Sequence, residues 1–527
     1  MLAVVPTSRE VKEGLWSLKP LKAPRPDELH AGFFQAYWNV VGDNVINEVQ
    51  EIFATSITPG YLNETLISLI PKRPGADCLA AFRPISLCNT VYKIVTKIIV
   101  NRMRNLLPNL ISPLQMAFVL SRLGLDNMII AQEIIHTISR KRGQVGYMTI
   151  KIDLEKSYDR LEWHFVRDML LLYKFPGPLT KLILSCLSTS SISVLLNGGK
   201  LDSFLPSRGI RQGDPLSPYL FIICMEMLWF LIDLKCDEHL WDPVKASRNG
   251  PTFSHLFFAD DLVLFTKADW KNCCNVRETL DTFCELFGQK VSLAKSKVYF
   301  SPNIRPEERD EMCEVLGMSS TPNLSKYLGF PLKHPGSSSH DFDFVLERVQ
   351  TKLQGWKASL LSMAGWVILT QFVTSAVPSY LMQGCFLPSR VLNGLDRQNR
   401  NFIWGSTEEK KKMRMICWEK ITKPKNRRGL GVHSAKGRNL TLVAKLCWRM
   451  ETSANAGWAE VLKKKYRLRT HHRKGSNSCV WSAIKKGQSV FDKGSKWIIG
   501  NNSSLSFWHD KWLNEGTIRS LIEGPLS

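Results

Sequence analysis

The sequence predicts an α+β fold in which an antiparallel sheet carries acidic residues at its strand ends. Short β-branched and apolar runs occupy residues 147–153, 255–259 and 262–266, and each run ends or begins beside an Asp. Longer segments with helical periodicity surround them, such as residues 125–142, in which apolar residues recur every three or four positions. A chain of 527 residues is too long for one compact core, so several domains are expected.

The remaining elements follow from the same patterns. Helices are predicted within residues 1–60, 87–107, 125–142 and 163–173 and over most of the chain after 302, and strands over 65–70 and 190–196. The second strand ends at Asn197-Gly198, a hairpin signal. Residues 219–234 are the longest apolar run, but they contain Glu226 and Asp233 and fall short of the ~20 residues of a membrane span. We therefore expect a buried helix there, and no membrane association.

The charge of the chain is strongly and unevenly positive. The formal net charge is +23, and residues 406–475 contain 20 Lys and Arg against 5 Asp and Glu. A surplus of this size indicates a polyanionic partner such as nucleic acid, although a solvated basic surface or a membrane-surface protein would also be basic. Aromatic residues are interleaved there, namely Trp418, Trp448, Trp458 and Tyr466. They suit either base stacking or the core of a helical domain.

Three acids form the first candidate site. Asp153 ends one predicted strand, and Asp260 and Asp261 form the turn of an apolar hairpin. Adjacent carboxylates between buried strands repel each other and are costly to desolvate. They form either a solvated turn or a cation site, and Mg²⁺ prefers such oxygen ligands.

A glycine-containing loop lies between these acid-bearing strands, at residues 206–218. Gly209 and Gly213 allow close backbone approach, Gln212 can hydrogen-bond a base or sugar, and Arg208 or Arg211 can contact a phosphate. The loop is predicted to form a floor for substrate.

The motifs resemble those of reverse transcriptases. Residues 153–159 (DLEKSYD), 208–218 (RGIRQGDPLSP) and 258–261 (FADD) resemble the palm motifs, and their starts are about 55 and 50 residues apart, as in that family. Residues 69–72 (LIPK) and 82–87 (FRPISL) resemble the fingers motifs of non-LTR elements, and residues 288–296 and 327–332 the later motifs. Residues 22–27, 33–38, 402–405 and 429–432 are most similar to plant elements of the long interspersed type.

The resemblance implies a role for each matching position. Asp153 and Asp260 would bind two Mg²⁺ ions, or Mn²⁺, with Asp261 in support. Tyr158 would exclude a ribose 2′-hydroxyl, although a core tyrosine is the plainer interpretation.

Further roles concern the nucleotide. Lys72 and Arg83 would hold the incoming triphosphate, and Gln212 and Gly213 would line the nucleotide and template. Lys295 would lie near the pyrophosphate, or be only an exposed lysine. The implied partners are an RNA template, a DNA primer and dNTPs, in the nucleus or otherwise the cytoplasm. The sequence indicates no oligomeric state.

The implied architecture is that of a right-hand polymerase. Residues 1–60 would be a helical extension, 61–150 the fingers, 151–300 the palm, 301–400 a thumb-like helical region and 401–527 a truncated basic connection region. Neither the endonuclease nor the downstream domains that such elements carry are expected within this chain.

Several positions depart from the family pattern and support a second interpretation of the function. Arg25, Glu28 and the Leu120-Ser121 pair replace residues that include glycines, and Trp366 replaces a common Arg. A glycine with positive φ is costly to replace. The alternative is therefore an inactive relic that keeps the fold and binds nucleic acid. An intron maturase is disfavoured by the tail around Trp404 and Gly429.

Overall fold

A computed structural model of the chain describes residues 2–23, 26–332, 338–354, 361–406, 412–453, 456–467, 477–496, 498, 506–508, 511–513 and 516–522. Its helices are α1 (Ser8–Trp16), α2 (Ala31–Ala36), α3 (Trp38–Thr55), α4 (Thr90–Arg104), α5 (Leu107–Leu110), α6 (Gly124–Ile138), α7 (Trp163–Leu172), α8 (Gly177–Ser188), α9 (Ser217–Asp237), α10 (Trp270–Phe287), α11 (Pro306–Leu316), α12 (Asp343–Gln354), α13 (Met363–Leu369), α14 (Ser379–Gly384), α15 (Ser389–Ile403), α16 (Trp418–Ile421), α17 (Ala435–Thr452), α18 (Gly457–Leu462), α19 (Cys479–Gly494) and α20 (Ile518–Leu521). Its strands are β1 (Glu64–Pro71), β2 (Phe82–Cys88), β3 (Tyr147–Ile152), β4 (Ser191–Leu196), β5 (Gly199–Lys200), β6 (Val244–Lys245), β7 (Thr252–Phe253), β8 (His255–Phe258), β9 (Asp261–Lys267), β10 (Lys297–Phe300), β11 (Ser319–Ser320), β12 (Lys326–Tyr327) and β13 (Phe330–Pro331).

The chain forms two compact units. Unit 1 comprises residues 1–127, 141–244 and 253–324, and unit 2 comprises residues 128–140, 245–252 and 325–527. Unit 1 holds two sheets and the helices packed on them, whereas unit 2 is mainly helical. The predicted α+β class is therefore confirmed.

The larger sheet of unit 1 carries the predicted acidic strands. Its strand order is β11-β10-β3-β9-β8, and all neighbours are antiparallel except β10 and β11. Nearly every side chain of β9 is buried, since helices cover the apolar strands that the sequence shows as continuous runs. The sheet fixes β3 beside the acidic hairpin by six residue pairs, from Tyr147 with Lys267 to Ile152 with Leu262.

The smaller sheet has the order β2-β1-β4-β5. The strands β1 and β2 form an antiparallel hairpin, whereas β4 adds to β1 in parallel from more than a hundred residues downstream. The predicted turn after residue 196 joins β4 to β5. Residues of both motifs that resemble polymerase fingers thus lie on one hairpin.

Helix α9 forms the apolar centre of unit 1. It begins immediately after the glycine-containing loop, with Pro218 in its first turn, where a missing backbone N–H is harmless. The helix is apolar on all sides and buries ten of its residues, as predicted. No helix within the described residues has both the length and the apolarity needed to cross a bilayer.

A buried polar network ties the last helices of unit 2 to α6. The carboxylate of Glu133 accepts hydrogen bonds from the hydroxyls of Tyr466 (2.7 Å) and Ser478, and pairs with the Lys465 ammonium at 2.9 Å. Trp481 stacks on the Tyr466 ring at 4.6 Å between centroids. Because the charges neutralise each other, this burial is tolerated.

The aromatic residues of the basic region are mostly core. Trp418, Trp458 and Tyr466 are buried, and Trp448 is 55% exposed. The core interpretation is therefore confirmed for the first three, and base stacking is open only to Trp448.

Two of the departures from the family pattern lie in left-handed backbone. Glu28 has φ 56° and Ser121 has φ 66°, and both side chains are exposed. Such a conformation costs a non-glycine residue ~1–2 kcal/mol. Arg25 lies outside the described residues.

We expect Glu28→Gly and Ser121→Gly each to raise the stability of the protein. Relief of the left-handed strain exceeds the entropy cost of glycine by about 0.5–1 kcal/mol. Thermal unfolding followed by circular dichroism measures the shift in Tm. Glu51→Gly, in the interior of α3, is the control and should lower Tm, because it costs a helix about 1 kcal/mol. Equal losses at all three positions would contradict the strain at Glu28 and Ser121.

Candidate functional site: a carboxylate cluster at the end of a sheet

The acidic hairpin is a tight two-residue turn. Phe258 pairs with Asp261 across β8 and β9, which leaves Ala259 and Asp260 as the central residues. Ala259 has φ 53°, a conformation usually given to glycine at the first central position of a hairpin turn. The turn projects Asp260 and Asp261 from the edge of a buried sheet into solvent-accessible positions.

Asp153 joins this pair through the register of β3 with β9. The last pair is Ile152 with Leu262, so the next residue of β3 lies level with Asp261. The backbone of Asp153 is held by residues 292–296, since its N–H donates to Ser296 Oγ (3.1 Å) and its carbonyl accepts from the Ser292 N–H (2.8 Å). The antiparallel pairing of β3, β9 and β8 therefore brings together three carboxylates that are far apart in the sequence.

The three carboxylates influence one another electrostatically. Desolvation by the surrounding protein, followed by the negative charge of Asp153, raises the pKa of Asp260. The pKa of Asp261 is raised by desolvation and then by Asp260, and Lys151 opposes the shift. Asp260 and Asp261 are therefore each harder to ionise than a free aspartate.

The donor atoms of the cluster suit a divalent cation. Carboxylate oxygens suit hard divalent ions, which commonly complete their coordination with water and substrate phosphate. Within the described residues, no three His, Cys, Asp or Glu side chains are close enough together to enclose a metal by themselves.

Lys295 is the basic side chain nearest to Asp153. Its Nζ lies 3.9 Å from Asp153 Oδ1, and its side chain is 72% exposed. Contact of Lys295 with a pyrophosphate stays a prediction, as does the alternative of a simple exposed lysine.

Tyr158 lies beside the carboxylates, at the floor of the site. Its ring stacks on Phe221 of α9 with 4.9 Å between centroids. Burial, and then the charge of Asp260, raises its pKa to about 12, so the hydroxyl stays protonated at neutral pH. The packing fixes the ring rigidly, which suits a steric role and equally a core role.

The glycine-containing loop packs closely against protein backbone. A Cβ on Gly209 (φ 88°) would lie 2.8 Å from the Asp159 carbonyl oxygen, and one on Gly213 (φ 115°) would lie 2.7 Å from that of Ser86. The close approach expected at both glycines is therefore confirmed, but the atoms approached belong to the protein. The Gln212 carbonyl also accepts the Ser86 N–H at 2.7 Å, which joins the loop to β2.

Arg211 does not fit its predicted contact with a phosphate. Its guanidinium is buried and donates to Asn63 Oδ1 (2.6 Å), to Thr65 Oγ1 (2.9 Å) and to the hydroxyl of Tyr92. It also forms an ion pair with Asp214 at 3.4 Å. The predicted phosphate contact of Arg211 is wrong, because the guanidinium is buried and its N–H groups donate to protein atoms. These hydrogen bonds connect the loop to β1 and α4.

Arg208 remains available at the surface. Its side chain is 47% exposed, and Nη1 lies 3.2 Å from Glu162 Oε1. A single exposed ion pair is worth little, so a phosphate could replace it.

Lys72 and Arg83 lie near the same end of the β1–β2 hairpin. Arg83 of β2 pairs with Ile70 of β1, and Lys72 is the first residue after β1. Both are exposed, and Lys72 Nζ donates to the Ala80 carbonyl at 2.8 Å. Desolvation raises the pKa of nearby Asp159, while Lys156 and Lys72 oppose that shift.

A cavity of about 290 Å³ lies between the smaller sheet and the loop. Residues that line it include Ser86, Asp159, Ile192, Phe204, Arg208 and Gln212. Its walls thus combine apolar strand residues with the polar groups predicted to contact substrate.

Sequence patterns missed the support behind the acidic turn. Gln115 is fully buried, and its Oε1 accepts the N–H groups of Ala259 (3.1 Å) and Ala117 (3.0 Å). The carbonyl of Phe257 accepts from the Met116 N–H (3.1 Å) and from Asn127 Nδ2 (2.8 Å). A lone buried Gln has no sequence signature, so only the folded structure connects it to the turn.

Comparisons with known proteins agree with this geometry. Residues 70–332 match the family described as reverse transcriptase (RNA-dependent DNA polymerase). The chain is 39% identical over 190 residues to a putative ribonuclease H protein of Arabidopsis thaliana, covering 35% of this chain and 31% of that protein. It is 26% identical over 405 residues to the uncharacterized 149 kDa protein of transposon TX1 of Xenopus laevis, covering 76% and 30%.

A third relative is the retrovirus-related Pol polyprotein of the type-2 retrotransposable element R2DM of Drosophila melanogaster, 28% identical over 272 residues, with 49% of this chain and 24% of that protein covered. The matched regions span less than a third of the length of each of these three relatives. Because the family match contains all three clustered carboxylates, the chain belongs to the reverse transcriptases, with non-LTR retrotransposon polyproteins among its relatives.

Proposed function

We propose that this chain is an RNA-directed DNA polymerase of a non-LTR retroelement, which adds dNTPs to a primer 3′-hydroxyl. The proposal is carried by one observation. Asp153, Asp260 and Asp261 meet at the same end of neighbouring strands, within the matched family region. The net charge of +23 suits a primed RNA template as partner.

Reverse transcriptases use divalent metal ions, and we propose Mg²⁺ as the natural ion, with Mn²⁺ as a substitute. Asp153 and Asp260 would hold the metals with support from Asp261, because these are the hard oxygen donors of the site. When bound, such ions activate the attacking hydroxyl and stabilise the leaving pyrophosphate.

The protein's own side chains would orient the substrates. Lys72 and Arg83, near the same end of the β1–β2 hairpin, would contact the triphosphate, by point charge and by paired N–H groups respectively. The ring of Tyr158, held against Phe221, would crowd a ribose 2′-hydroxyl and so favour dNTPs. Gln212 and Arg208, which line the cavity, would contact the nucleotide or template.

We propose a right-hand division of the chain on the same basis. Residues 61–150 would act as fingers, 151–300 as palm and 301–400 as thumb, followed by the basic region 401–527. The three carboxylates fall in the palm segment, and the β1–β2 hairpin, with Lys72 just beyond β1 and Arg83 on β2, falls in the fingers segment.

A second candidate is an inactive relic that binds nucleic acid. The left-handed backbone at Glu28 and Ser121 favours it, since unrelieved strain away from the site lowers stability without an evident benefit. The three carboxylates favour the active enzyme.

Primer extension on an RNA template tests the choice. We expect Mg²⁺-dependent incorporation of dNTPs by the wild type and incorporation at background level by Asp260→Asn. Asp202→Asn, the same change in an exposed loop, should keep full activity. A folded wild type that binds the primed template but adds no nucleotide would establish the relic instead.

Desolvation of Asp260, together with repulsion from Asp153, predicts an effect on stability. A raised pKa means that the ionised Asp260 destabilises the folded state, fully so above the folded pKa and no longer below its ordinary value. Asp260→Asn should therefore raise Tm in metal-free buffer at neutral pH, and its advantage should vanish as the pH falls through that window. Thermal scans across pH, with Asp202→Asn as control, measure this. An advantage that does not change with pH would rule out the electrostatic cause.

The support from Gln115 predicts a positioning role. Gln115→Leu removes the acceptor for the Ala259 N–H, so the turn with Asp260 loses its fixed conformation. A misplaced catalytic group costs on the order of 10²-fold in rate, so we expect a loss of 10- to 100-fold in kcat, with a higher Mg²⁺ concentration needed for half activity.

Two further variants separate this role from general damage. Gln371→Leu, which removes a hydrogen bond from Nε2 to the Leu430 carbonyl in unit 2, should lower Tm without altering the Mg²⁺ dependence. Ala259→Gly, which adopts the turn conformation without strain, should partly rescue Gln115→Leu. Unchanged Mg²⁺ dependence in Gln115→Leu would refute the positioning role.

A further inference from the structure

A closed basic loop stands out on unit 2, between α16 and α17. Residues 423–428 (KPKNRR) carry four cations in six positions, and all four side chains are exposed. The site described above makes no use of them. We name residues 421–431 the basic loop.

The backbone of the basic loop is held by its own hydrogen bonds. The Leu430 N–H donates to the Ile421 carbonyl (2.9 Å), and the Gly431 N–H donates to the Lys423 carbonyl (3.1 Å). Gln371 Nε2 donates to the Leu430 carbonyl at 2.7 Å, and a Cβ on Gly429 would lie 1.8 Å from the Lys423 oxygen. The loop thus presents its cations from a fixed frame, anchored by the core residues Ile421 and Val432.

The four cations lack acidic partners. Within the described part of the chain, Lys423, Lys425, Arg427 and Arg428 form no ion pair. From residue 412 to residue 450 the sequence has eleven Lys and Arg and one acid, Glu419. Like charges held close together repel, so this arrangement costs stability in the free protein and is relieved by a polyanion.

Arg428 adds a second cost. Its φ is 60°, so a bulky cation occupies left-handed backbone in which glycine would be unstrained. Strained residues that persist in a fixed frame point to a function for the side chain.

We propose that the basic loop is a second nucleic-acid contact, which binds the phosphate backbone of single-stranded RNA independently of base sequence. The choice of RNA rests on the proposed function, in which the template is an RNA strand. Residues 422–431 contain no aromatic side chain, so the loop offers charge without base stacking. We therefore expect the RNA affinity of the basic loop to depend strongly on salt concentration and weakly on base sequence.

Salt dependence of binding tests the proposal directly. The full chain is titrated with a fluorescein-labelled single-stranded RNA in EDTA and without dNTPs, and anisotropy is followed over a range of KCl concentrations. A variant with Lys423→Gln, Lys425→Gln, Arg427→Gln and Arg428→Gly should lower the slope of log K against log salt by about 3, for four contacts on a single strand. Because no catalysis is involved, this result does not depend on whether the chain polymerises.

A single substitution gives a sharper test. Arg428→Gly should raise Tm, because it relieves strain, and should weaken RNA binding a few-fold, because it removes one phosphate contact. Lys174→Gly is the matched control, since Lys174 is also exposed and has φ 57°, but it lies in unit 1. It removes the same charge and relieves the same strain, so it should raise Tm and leave RNA affinity unchanged.

Three outcomes would overturn the proposal. One is an unchanged salt slope in the fourfold variant. Another is an equal loss of RNA affinity in Lys174→Gly and Arg428→Gly, which would show that only net charge matters. The third is a loss of binding to phosphatidylserine vesicles with RNA binding intact, which would assign the loop to a membrane surface.

Discussion

The constraint on which the site depends is the placement of three like charges at the end of an apolar sheet. Asp153, Asp260 and Asp261 are brought together by the pairing of β3 with β9, and both strands bury most of their side chains in this sheet. The register that buries Ile152 and Leu262 is therefore the same register that forces the carboxylates together. A slip by one residue would draw a charged residue from the strand end into the buried part of the sheet, so burial of the apolar residues keeps the carboxylates together despite their repulsion.

Buried polar groups behind the acidic turn also hold it in place through hydrogen bonds. Gln115 reaches the acidic turn from a segment that Arg122 organises by donating to the carbonyls of Gln115 (2.8 Å) and Ile111 (2.9 Å). Glu226 of α9 accepts the Ser112 N–H at 2.7 Å, and burial raises the pKa of this carboxyl to about 7. These hydrogen bonds join the segment from 111 to 122 to α9 on one side and to the acidic turn on the other.

Sequence reasoning located the elements of this site well and their partners poorly. The strands at β3, β8 and β9 and the buried helix α9 follow from local periodicity, which a sequence displays directly. The parallel addition of β4 to β1 and the placement of β10 beside β3 depend on distant segments, which no local pattern encodes. Arg211 shows the same limit at the level of one residue. An arginine in a polar loop is expected to bind phosphate. The guanidinium of Arg211 instead donates hydrogen bonds to Asn63, Thr65 and Tyr92, which are far away in the sequence.

The strained positions distinguish what the fold needs from what it only tolerates. Glu28 and Ser121 adopt left-handed backbone with exposed side chains, and neither residue belongs to the carboxylate site. At Ala259 the strain is compensated, because its N–H is bound by Gln115 and its turn directs Asp260. Arg428 is intermediate, since its backbone is strained within a closed loop while its charge is presented outward. At Ala259 and Arg428, left-handed backbone occurs together with a buried hydrogen-bond partner or within a group of exposed cations, and we infer that the turn or the side chain has a function. At Glu28 and Ser121 it occurs with neither, and we infer that the substitution has only lowered stability.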